Sequence, residues 1–397
     1  MRPRLRTAAV LAALLLPAVA VACSWDYDTI KRERTRFPGT LELITGKFLR
    51  HSPEFYEWRV ADRTRRLAAD PTNVALLDDL AVAYDKTGRR DLAIETARRT
   101  EALRPGRYET AANLGTFHFH AGQFDQGLPH IGRALAINPD AHFGRERVQK
   151  RLVEYVVARN KAGALPLADV TIRPPAAGAE LSAQHVEVKN TFADFLSPDT
   201  YRVLGPAESA AAVKGLLGMM AFGTHDSPLL LEALGACLTQ GSDNPEGDAK
   251  LLAARAYLKA SYGVPDGPAR AAYRGLALRA LHLQTFGSGL ETIPLAQVEA
   301  DFARELAEGR DWYAALRERE LGWLRDGQDP EAEFDKLYAA DPEVTGMDVR
   351  DPMDPRDREA LFLGAVCVGC VGALVGLAAG SALLLRRHLR RARASSC

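Results

Sequence analysis

Cysteine is scarce in this chain, with five among 397 residues. Two of them, Cys367 and Cys370, lie inside one apolar run. The others are Cys23, Cys237 and the terminal Cys397. So few cysteines exclude a disulfide framework. The C-x-x-C spacing of Cys367 and Cys370 occurs in redox motifs, but no polar neighbour would stabilise a thiolate there, so the sequence favours two small packing residues.

An excess of positive charge is also missing, because 51 lysines and arginines balance 51 aspartates and glutamates. That balance argues against a nucleic-acid partner, which would require a strongly basic surface. The charges are nevertheless uneven along the chain. Acidic residues crowd positions 341–360, and arginines crowd the twelve residues at the C-terminus.

Signature motifs of catalysis and cofactor binding are absent as well. The chain contains no G-x-S-x-G elbow, no H-E-x-x-H pair, no P-loop and no dinucleotide fingerprint. The nearest approach to a set of metal ligands is the group His118, His120, His130 and His142. Side chains two residues apart on a helix point in different directions, so His118 and His120 cannot face one ion. The sequence therefore predicts neither a metal nor a cofactor.

What the chain does contain is a repeat with an offset of 34 residues. The repeat is clear between residues 74 and 141, where apolar, small and turn residues recur in the same places. The matched positions are Pro71, Pro105 and Pro139; Leu80 and Leu114; Ala81 and Gly115; Gly88 and Gly122; Ala93 and Gly127; and Thr100 and Ala134.

Each copy has the pattern of two helices joined by a turn. In the first copy Leu77, Leu80 and Tyr84 are three or four residues apart, which places them on one helical face. Gly88 follows, and glycine tolerates the left-handed conformation in which helices often end. The sequence therefore predicts that the first helix stops at Gly88.

The second copy departs from the first at two packing positions. His118 stands where the first copy has Tyr84, and Gly127 stands where it has Ala93. A smaller or more polar side chain removes apolar contact. We therefore expect weaker packing in the second copy.

The 34-residue pattern resembles the tetratricopeptide repeat (TPR), a helix-turn-helix unit that stacks into a solenoid. In that family the first helix of each unit lines a concave groove, so the resemblance implies a groove for a peptide or protein partner. The residues it places there are Asp78, Val82, Asp85, Lys86, Ala112, Thr116, Phe119 and His120. Of these, Lys86, Phe119 and His120 suit an acidic or aromatic peptide. The lysine and asparagine that clamp a terminal carboxylate in some relatives are absent, because Asp78 and Val82 occupy their positions.

The predicted fold class is all-α: a TPR-type helical-repeat solenoid, a second α-helical domain and a C-terminal transmembrane helix. The predicted segments are a signal peptide at 1–22, a repeat domain at 23–160 with clear repeats at 74–107 and 108–141, a Pro/Gly-rich linker at 161–200, a second helical domain at 201–340, an acidic juxtamembrane spacer at 341–360, a transmembrane helix at 361–385 and a basic cytoplasmic tail at 386–397. The linker contains TIRPP, which cannot be helical. Seven helices are expected in the second domain, including separate ones at 295–308 and 311–325.

Both ends of the chain carry membrane signals. Arginines precede an apolar stretch at 8–20, as in a secretory signal, and 25 uncharged residues at 361–385 are long enough to cross a bilayer. Because arginines flank both segments, the positive-inside bias predicts a single-pass cell-membrane protein with extracytoplasmic, periplasmic helical domains. Gly372, Gly376 and Gly380 repeat every four residues and would allow a homodimer through the membrane helix.

Cys23 is a candidate for lipidation. Cleavage after Ala22 would make Cys23 the first residue, as at a bacterial lipoprotein site. The alternative is an ordinary cleavage that leaves Cys23 free or paired with Cys237.

Two functional hypotheses follow. The first is a non-catalytic, membrane-anchored scaffold or adaptor that binds a peptide or protein partner in the repeat groove. The alternative is an enzyme or enzyme subunit with a site in the second helical domain, where His225, Asp226 and Ser227 are consecutive in a predicted turn. A deep pocket with convergent polar groups would favour the enzyme, and an extended groove would favour the scaffold.

Overall fold

The computed structural model describes residues 38–139, 144–159, 165–197, 204–240, 249–285 and 293–340. These residues form fourteen α-helices and one two-stranded sheet. The helices are α1 Thr40–Thr45, α2 Pro53–Ala69, α3 Val74–Lys86, α4 Arg90–Leu103, α5 Tyr108–His120, α6 Phe124–Ile137, α7 Arg145–Arg159, α8 Phe192–Leu196, α9 Pro206–Phe222, α10 Pro228–Gln240, α11 Ala249–Tyr262, α12 Pro268–Thr285, α13 Leu295–Arg325 and α14 Pro330–Ala340. The strands are β1 Asp169–Ile172 and β2 Val186–Lys189.

Helices α3 to α6 carry the repeat. Helices α5 and α6 begin and end 34 residues after α3 and α4, respectively. Asn73 caps the start of α3, because its side chain accepts a hydrogen bond from the Leu76 N–H. Inside each pair the turn contains a glycine in the left-handed region, Gly88 with φ 77° and Gly122 with φ 72°. The predicted helix-turn-helix pairs are confirmed, whereas the family resemblance stays a prediction.

The second pair packs through two glycines that let its helices approach closely. A β-carbon on Gly115 would lie 2.5 Å from Cγ1 of Ile131, and one on Gly127 would lie 2.5 Å from Cδ1 of Phe119. The Phe119 ring therefore fills the space that Gly127 leaves. The packing defect expected from the loss of alanine at this position is absent.

The second half of the described chain is also helical, with one difference from the expectation. Helices α9 to α12 and α14 match predicted helices, but 295–308 and 311–325 form the single 31-residue helix α13. Gly309, in the middle of α13, crosses α1 so closely that a β-carbon there would lie 2.7 Å from the carbonyl oxygen of Thr45. Gly309 therefore allows α13 to pack closely against α1, and it does not end a helix.

A β-hairpin occupies part of the segment predicted as a linker. Its strands are antiparallel, with Asp169 opposite Lys189 and Ile172 opposite Val186. Ile172 and Val186 pack against Gly275 of α12, where a β-carbon would lie 3.4 Å from Cδ1 of Ile172 and 3.3 Å from Cγ1 of Val186. TIRPP begins inside β1 and is not helical, as predicted. The hairpin is a packed part of the fold and adds a small sheet to the predicted all-α class.

A buried carboxylate holds the chain just before β1. Glu232 of α10 accepts hydrogen bonds from the backbone N–H of Leu167 at 3.1 Å and of Ala168 at 2.9 Å. The Tyr273 hydroxyl of α12 donates a third bond at 2.9 Å. Burial raises the pKa of Glu232, against these hydrogen bonds. The carboxyl group thus joins α10, α12 and the entry to the hairpin.

The last two described helices return to the beginning of α2. His51 Nδ1 lies 2.6 Å from Oε1 of Glu320 on α13, and the Ser52 N–H donates to Oε2 of the same residue at 2.8 Å. Arg59 forms an ion pair of 2.7 Å with Glu331 on α14. All of the described residues belong to one compact unit, and the second unit, Gly346–Cys397, lies outside the described ranges.

The predicted transmembrane architecture requires correction. No helix within the described ranges is long and apolar enough to span a membrane. The longest, α13, has 31 residues but carries charged side chains along most of its length, whereas a span needs about 20 predominantly apolar residues. This finding contradicts the expected single-pass membrane protein with extracytoplasmic helical domains. The segments on which that expectation depended, 1–22 with Cys23 and 361–385 with Gly372, Gly376 and Gly380, lie outside the described residues.

Candidate functional site

The residues predicted to line a groove lie on α3 and α5, and most of them are inaccessible. Lys86 and His120 are half-buried. The fully buried ones are Asp78, Val82, Asp85, Ala112, Thr116 and Phe119. An open groove would leave such side chains exposed to a ligand. On this face the predicted groove residues are covered by other parts of the chain.

The carboxylate of Asp78 forms an ion pair with an arginine from the next repeat unit. Arg107, just before α5, places Nη1 2.7 Å from Oδ2 of Asp78. Burial raises the pKa of Asp78 to about 7, although the Arg107 guanidinium lowers it. The pair joins two repeat units and leaves no free carboxylate for a ligand.

Asp85 and His120 form a second bridge between α3 and α5. His120 Nδ1 lies 2.7 Å from Oδ2 of Asp85, and the two side chains are 9% and 2% exposed. The other ring nitrogen of His120, Nε2, is buried and has no hydrogen-bond partner among the described residues. Both predicted ligand-binding residues therefore stabilise the stacking of the repeat.

Lys86 binds the end of a distant helix of the same chain. Its ammonium group donates to the carbonyl oxygen of Phe222, the last residue of α9, and to that of Gly223 at 3.4 Å. The last carbonyls of a helix lack partners within the helix and carry partial negative charge. Lys86 thus caps α9, and the Tyr56 ring lies 6.0 Å from the same ammonium group.

The four remaining predicted groove residues also contact the protein itself, and Ala112 belongs to a buried cluster with Tyr108 and Ala134. Thr116 accepts a hydrogen bond of 3.2 Å from Nε2 of Gln149 on α7. Val82 belongs to a buried cluster with residues of α4 and α5. Phe119 packs against Gly127 of α6, so its ring points between the helices of its own unit. The face predicted to be a groove is an internal interface with α7 and the end of α9.

The turn proposed for the alternative enzyme site lies between α9 and α10. The His225 ring packs edge-on against Phe48, with centroids 5.5 Å apart, and burial followed by the charge of Arg50 lowers the pKa of His225 well below its usual value. Ser227 is buried, and its carbonyl oxygen accepts the Leu231 N–H at the start of α10. Asp226 is exposed. No hydrogen bond between the side chains of His225, Asp226 and Ser227 is present in this described turn, so the three do not form a catalytic relay here.

Two of the four histidines singled out in the sequence stack on each other. The rings of His118 and His130 are nearly parallel, with centroids 5.6 Å apart. Burial lowers the pKa of both. Within the ranges that the structure describes, no group of three or more His, Cys, Asp and Glu residues could hold a metal ion, and His142 lies outside those ranges.

An open apolar cleft lies on the other side of the repeat, between α2 and α4, with α3 as its floor. Its volume is about 520 Å³. Its apolar lining includes Leu67, Leu77, Leu80, Tyr84 and Leu92. Leu67, Leu77 and Leu80 are buried, whereas Leu92 is 42% exposed at the rim. The cleft is therefore open at its rim, where Leu92 is exposed, while its leucine floor is packed within the chain.

The rim of this cleft carries few polar groups. Thr64 of α2 and Glu95 and Arg99 of α4 are exposed there. Arg99 donates to the carbonyl oxygen of Pro71, and neither a hydrogen bond nor an ion pair of the Glu95 carboxylate is found among the described residues. Sequence reasoning missed this cleft because it assigned the apolar residues of the first copy to the core. The available signal was Leu92, a leucine that directly follows the charged residues Arg89, Arg90 and Asp91 at the start of α4.

The corresponding region of the next repeat unit is filled by polar side chains. The position of Tyr84 is taken by His118, and that of Thr96 by His130, which stacks on it. Where α2 has Leu67, α4 has Glu101, which forms an ion pair of 3.2 Å with Arg133 of α6. The leucine floor is thus a property of the first unit.

Comparison of the chain with family models, with curated proteins and with solved structures finds no match.

Proposed function

We propose that this protein is a non-catalytic helical scaffold that holds a peptide or protein partner in the cleft between α2 and α4. The observation that carries the proposal is an open cleft of about 520 Å³ over a floor of buried leucine side chains, with Leu92 exposed at its rim. Concave sites lined mainly by apolar side chains are the places where proteins most often bind ligands. The cleft has the size of a small ligand site but is shallow and mainly apolar, which suits binding by shape and apolar burial.

The internal contacts of the opposite face support the same proposal. Lys86, Asp85 and Thr116 are engaged by the chain itself. Lys86 and Thr116 join the repeat to α9 and α7, and Asp85 joins α3 to His120 of α5. These contacts hold the helices, and therefore the cleft on their other side, in one arrangement. A rigid surface loses less conformational entropy when a partner binds.

Two leucines on α4 allow a matched test. Leu92 lines the cleft and is 42% exposed, whereas Leu103, at the end of the same helix, is 40% exposed and does not line it. The variants Leu92→Arg and Leu103→Arg therefore add the same charge at similar exposure. Each should change the free energy of unfolding by less than about 0.5 kcal/mol, because both positions are on the surface.

The measurement is formaldehyde crosslinking in the native cells, followed by capture of the tagged full chain and quantitative mass spectrometry. A protein that is recovered with the parent chain and with Leu103→Arg, but at least about tenfold less with Leu92→Arg, supports the proposal. Equal recovery of every captured protein with Leu92→Arg and the parent chain, in a variant that melts normally, would overturn it.

A further inference from the structure

We propose that the occupant of the α2–α4 cleft is an amphipathic α-helix with a basic and an acidic residue one turn apart, paired with Glu95 and Arg99. This inference rests on the proposed function and specifies the chemistry of the partner.

The length of the cleft sets the length of the bound segment. Its walls are the stretch from Thr64 to Pro71, which includes the end of α2, and the stretch from Leu92 to Arg99 on α4. Each stretch has eight residues, or about 11 Å along a helix at 1.5 Å per residue. Two turns of a bound helix cover that distance. Such a helix presents apolar side chains at positions i, i+3, i+4 and i+7 to the leucine floor.

The backbone of the cleft favours a helix over an extended strand. Its walls and floor are mainly helices, whose N–H and C=O groups are already paired within each helix. The Pro71 carbonyl, at the end of one wall, accepts from Arg99. An extended peptide would find no β-strand edge in the cleft with which to form backbone hydrogen bonds. Its own N–H and C=O groups would lose their hydrogen bonds to water and gain none in return. A helix satisfies those groups internally.

The charged residues on the rim of the cleft determine which charged side chains a partner helix should carry. Glu95 and Arg99 are four residues apart on α4, and no ion pair of either is present in the described part of the chain. In the next unit Arg133, which corresponds to Arg99, pairs across the helices with Glu101. In the first unit the residue that corresponds to Glu101 is Leu67, so Arg99 has no acid opposite it. A partner helix that supplies an acid to Arg99 and a base to Glu95 completes the arrangement that the chain makes by itself one unit later.

Surface ion pairs of this kind contribute to selectivity more than to total affinity. The apolar contacts with the floor are expected to provide most of the binding. The charges then decide which of several apolar helices binds best, and their effect decreases as salt is added.

The test uses three synthetic helical peptides with the same leucine positions and a fluorescent label. They differ only at two flanking positions one turn apart, which carry lysine and glutamate, two lysines, or two glutamates. Each peptide is titrated by fluorescence anisotropy against the full chain and against its Glu95→Arg and Arg99→Glu variants. The parent chain should prefer the lysine–glutamate peptide, Glu95→Arg the two-glutamate peptide, and Arg99→Glu the two-lysine peptide. Each preference should be about two- to fivefold at low salt.

Two controls separate this inference from the proposed function. Leu92→Arg should weaken the binding of all three peptides. A fourth peptide, with the lysine–glutamate charges and prolines that prevent a helix, should not bind. If the first three peptides bind equally to all three chains and Leu92→Arg abolishes their binding, the charge pairing is wrong and the cleft still binds apolar helices. If the proline peptide binds as well as the helical ones, or if no peptide binds while cellular capture depends on Leu92, the helical occupant is wrong and the scaffold function stands.

Discussion

The ring of Phe119 occupies the space that a β-carbon on Gly127 would need, with Cδ1 only 2.5 Å from that position. The carbonyl oxygen of Gly115 lies 2.8 Å from the same point. Two elements of one repeat unit, α5 and α6, therefore approach each other through a glycine that replaces the alanine of the first unit, and a phenylalanine uses the space gained.

This relationship predicts that Gly127→Ala destabilises the protein. The added methyl group would force the Phe119 ring away from its position, which costs about 1 to 3 kcal/mol of unfolding free energy. Chemical denaturation followed by circular dichroism measures the change.

The same helix provides the control for that measurement. Gly132 of α6 has no atom within 4 Å of an added β-carbon. Gly132→Ala should stabilise the protein by roughly 0.5 to 1 kcal/mol, because alanine loses less backbone entropy in a helix than glycine does. Equal effects of the two substitutions would show that Phe119 does not pack against Gly127.

Lys86→Met should also destabilise the protein. The substitution removes the ammonium group that caps the carbonyls of Phe222 and Gly223 at the end of α9. A hydrogen bond to a charged group contributes about 1.5 to 3 kcal/mol, so a loss of that order is expected in the free energy of unfolding.

The comparison for this prediction is Lys336→Met on α14, where the lysine side chain is 69% exposed. That change should stay within about 0.5 kcal/mol of the parent chain. An unaltered denaturation curve for Lys86→Met would show that the hydrogen bonds of Lys86 to the end of α9 do not stabilise the fold.

The stacked histidines predict a loss of stability in acid. Burial lowers the pKa of His118 and of His130 in the folded protein below the value of 6.5 in an unfolded chain. Well above pH 6.5 both states are neutral, and the titration of these residues does not change stability. As the pH falls below 6.5 the unfolded state takes up protons that the folded state resists, so stability decreases until the folded pKa values are passed.

The residues at the equivalent positions of the first repeat unit suggest a variant whose stability depends less on pH. The double variant His118→Tyr, His130→Thr introduces the residues found at Tyr84 and Thr96. Its free energy of unfolding should fall less between pH 7.5 and pH 5.5 than that of the parent chain. The groups that face the two rings, Gln123, Arg98, Arg133 and Glu101, remain in both proteins. If the parent chain and the double variant lost the same amount of stability, groups other than His118 and His130 would be responsible for the acid sensitivity.

The local features of the repeat could be predicted from the sequence. The boundaries of α3 to α6, the left-handed turns at Gly88 and Gly122 and the break before the hairpin all depend on neighbouring residues along the chain. Helical periodicity, the conformational freedom of glycine and the missing N–H of proline act over a few residues. The expected break near Gly309 was wrong because a glycine that ends a helix and one that lets two helices cross look the same in sequence.

The accessibility of each face was decided only by the tertiary structure. Residues 136 positions apart bring Lys86 to the carbonyl of Phe222, and no local pattern in α3 indicates that contact. The same uncertainty hid the cleft, since Leu67, Leu77 and Leu80 have the spacing of core residues whether or not another helix covers them. A sequence by itself determines which side of a helix is apolar, because periodicity is local. Which apolar or polar side is then buried against the rest of the chain, and which stays open to a partner, depends on contacts between residues far apart in sequence, and these form only when the chain has folded.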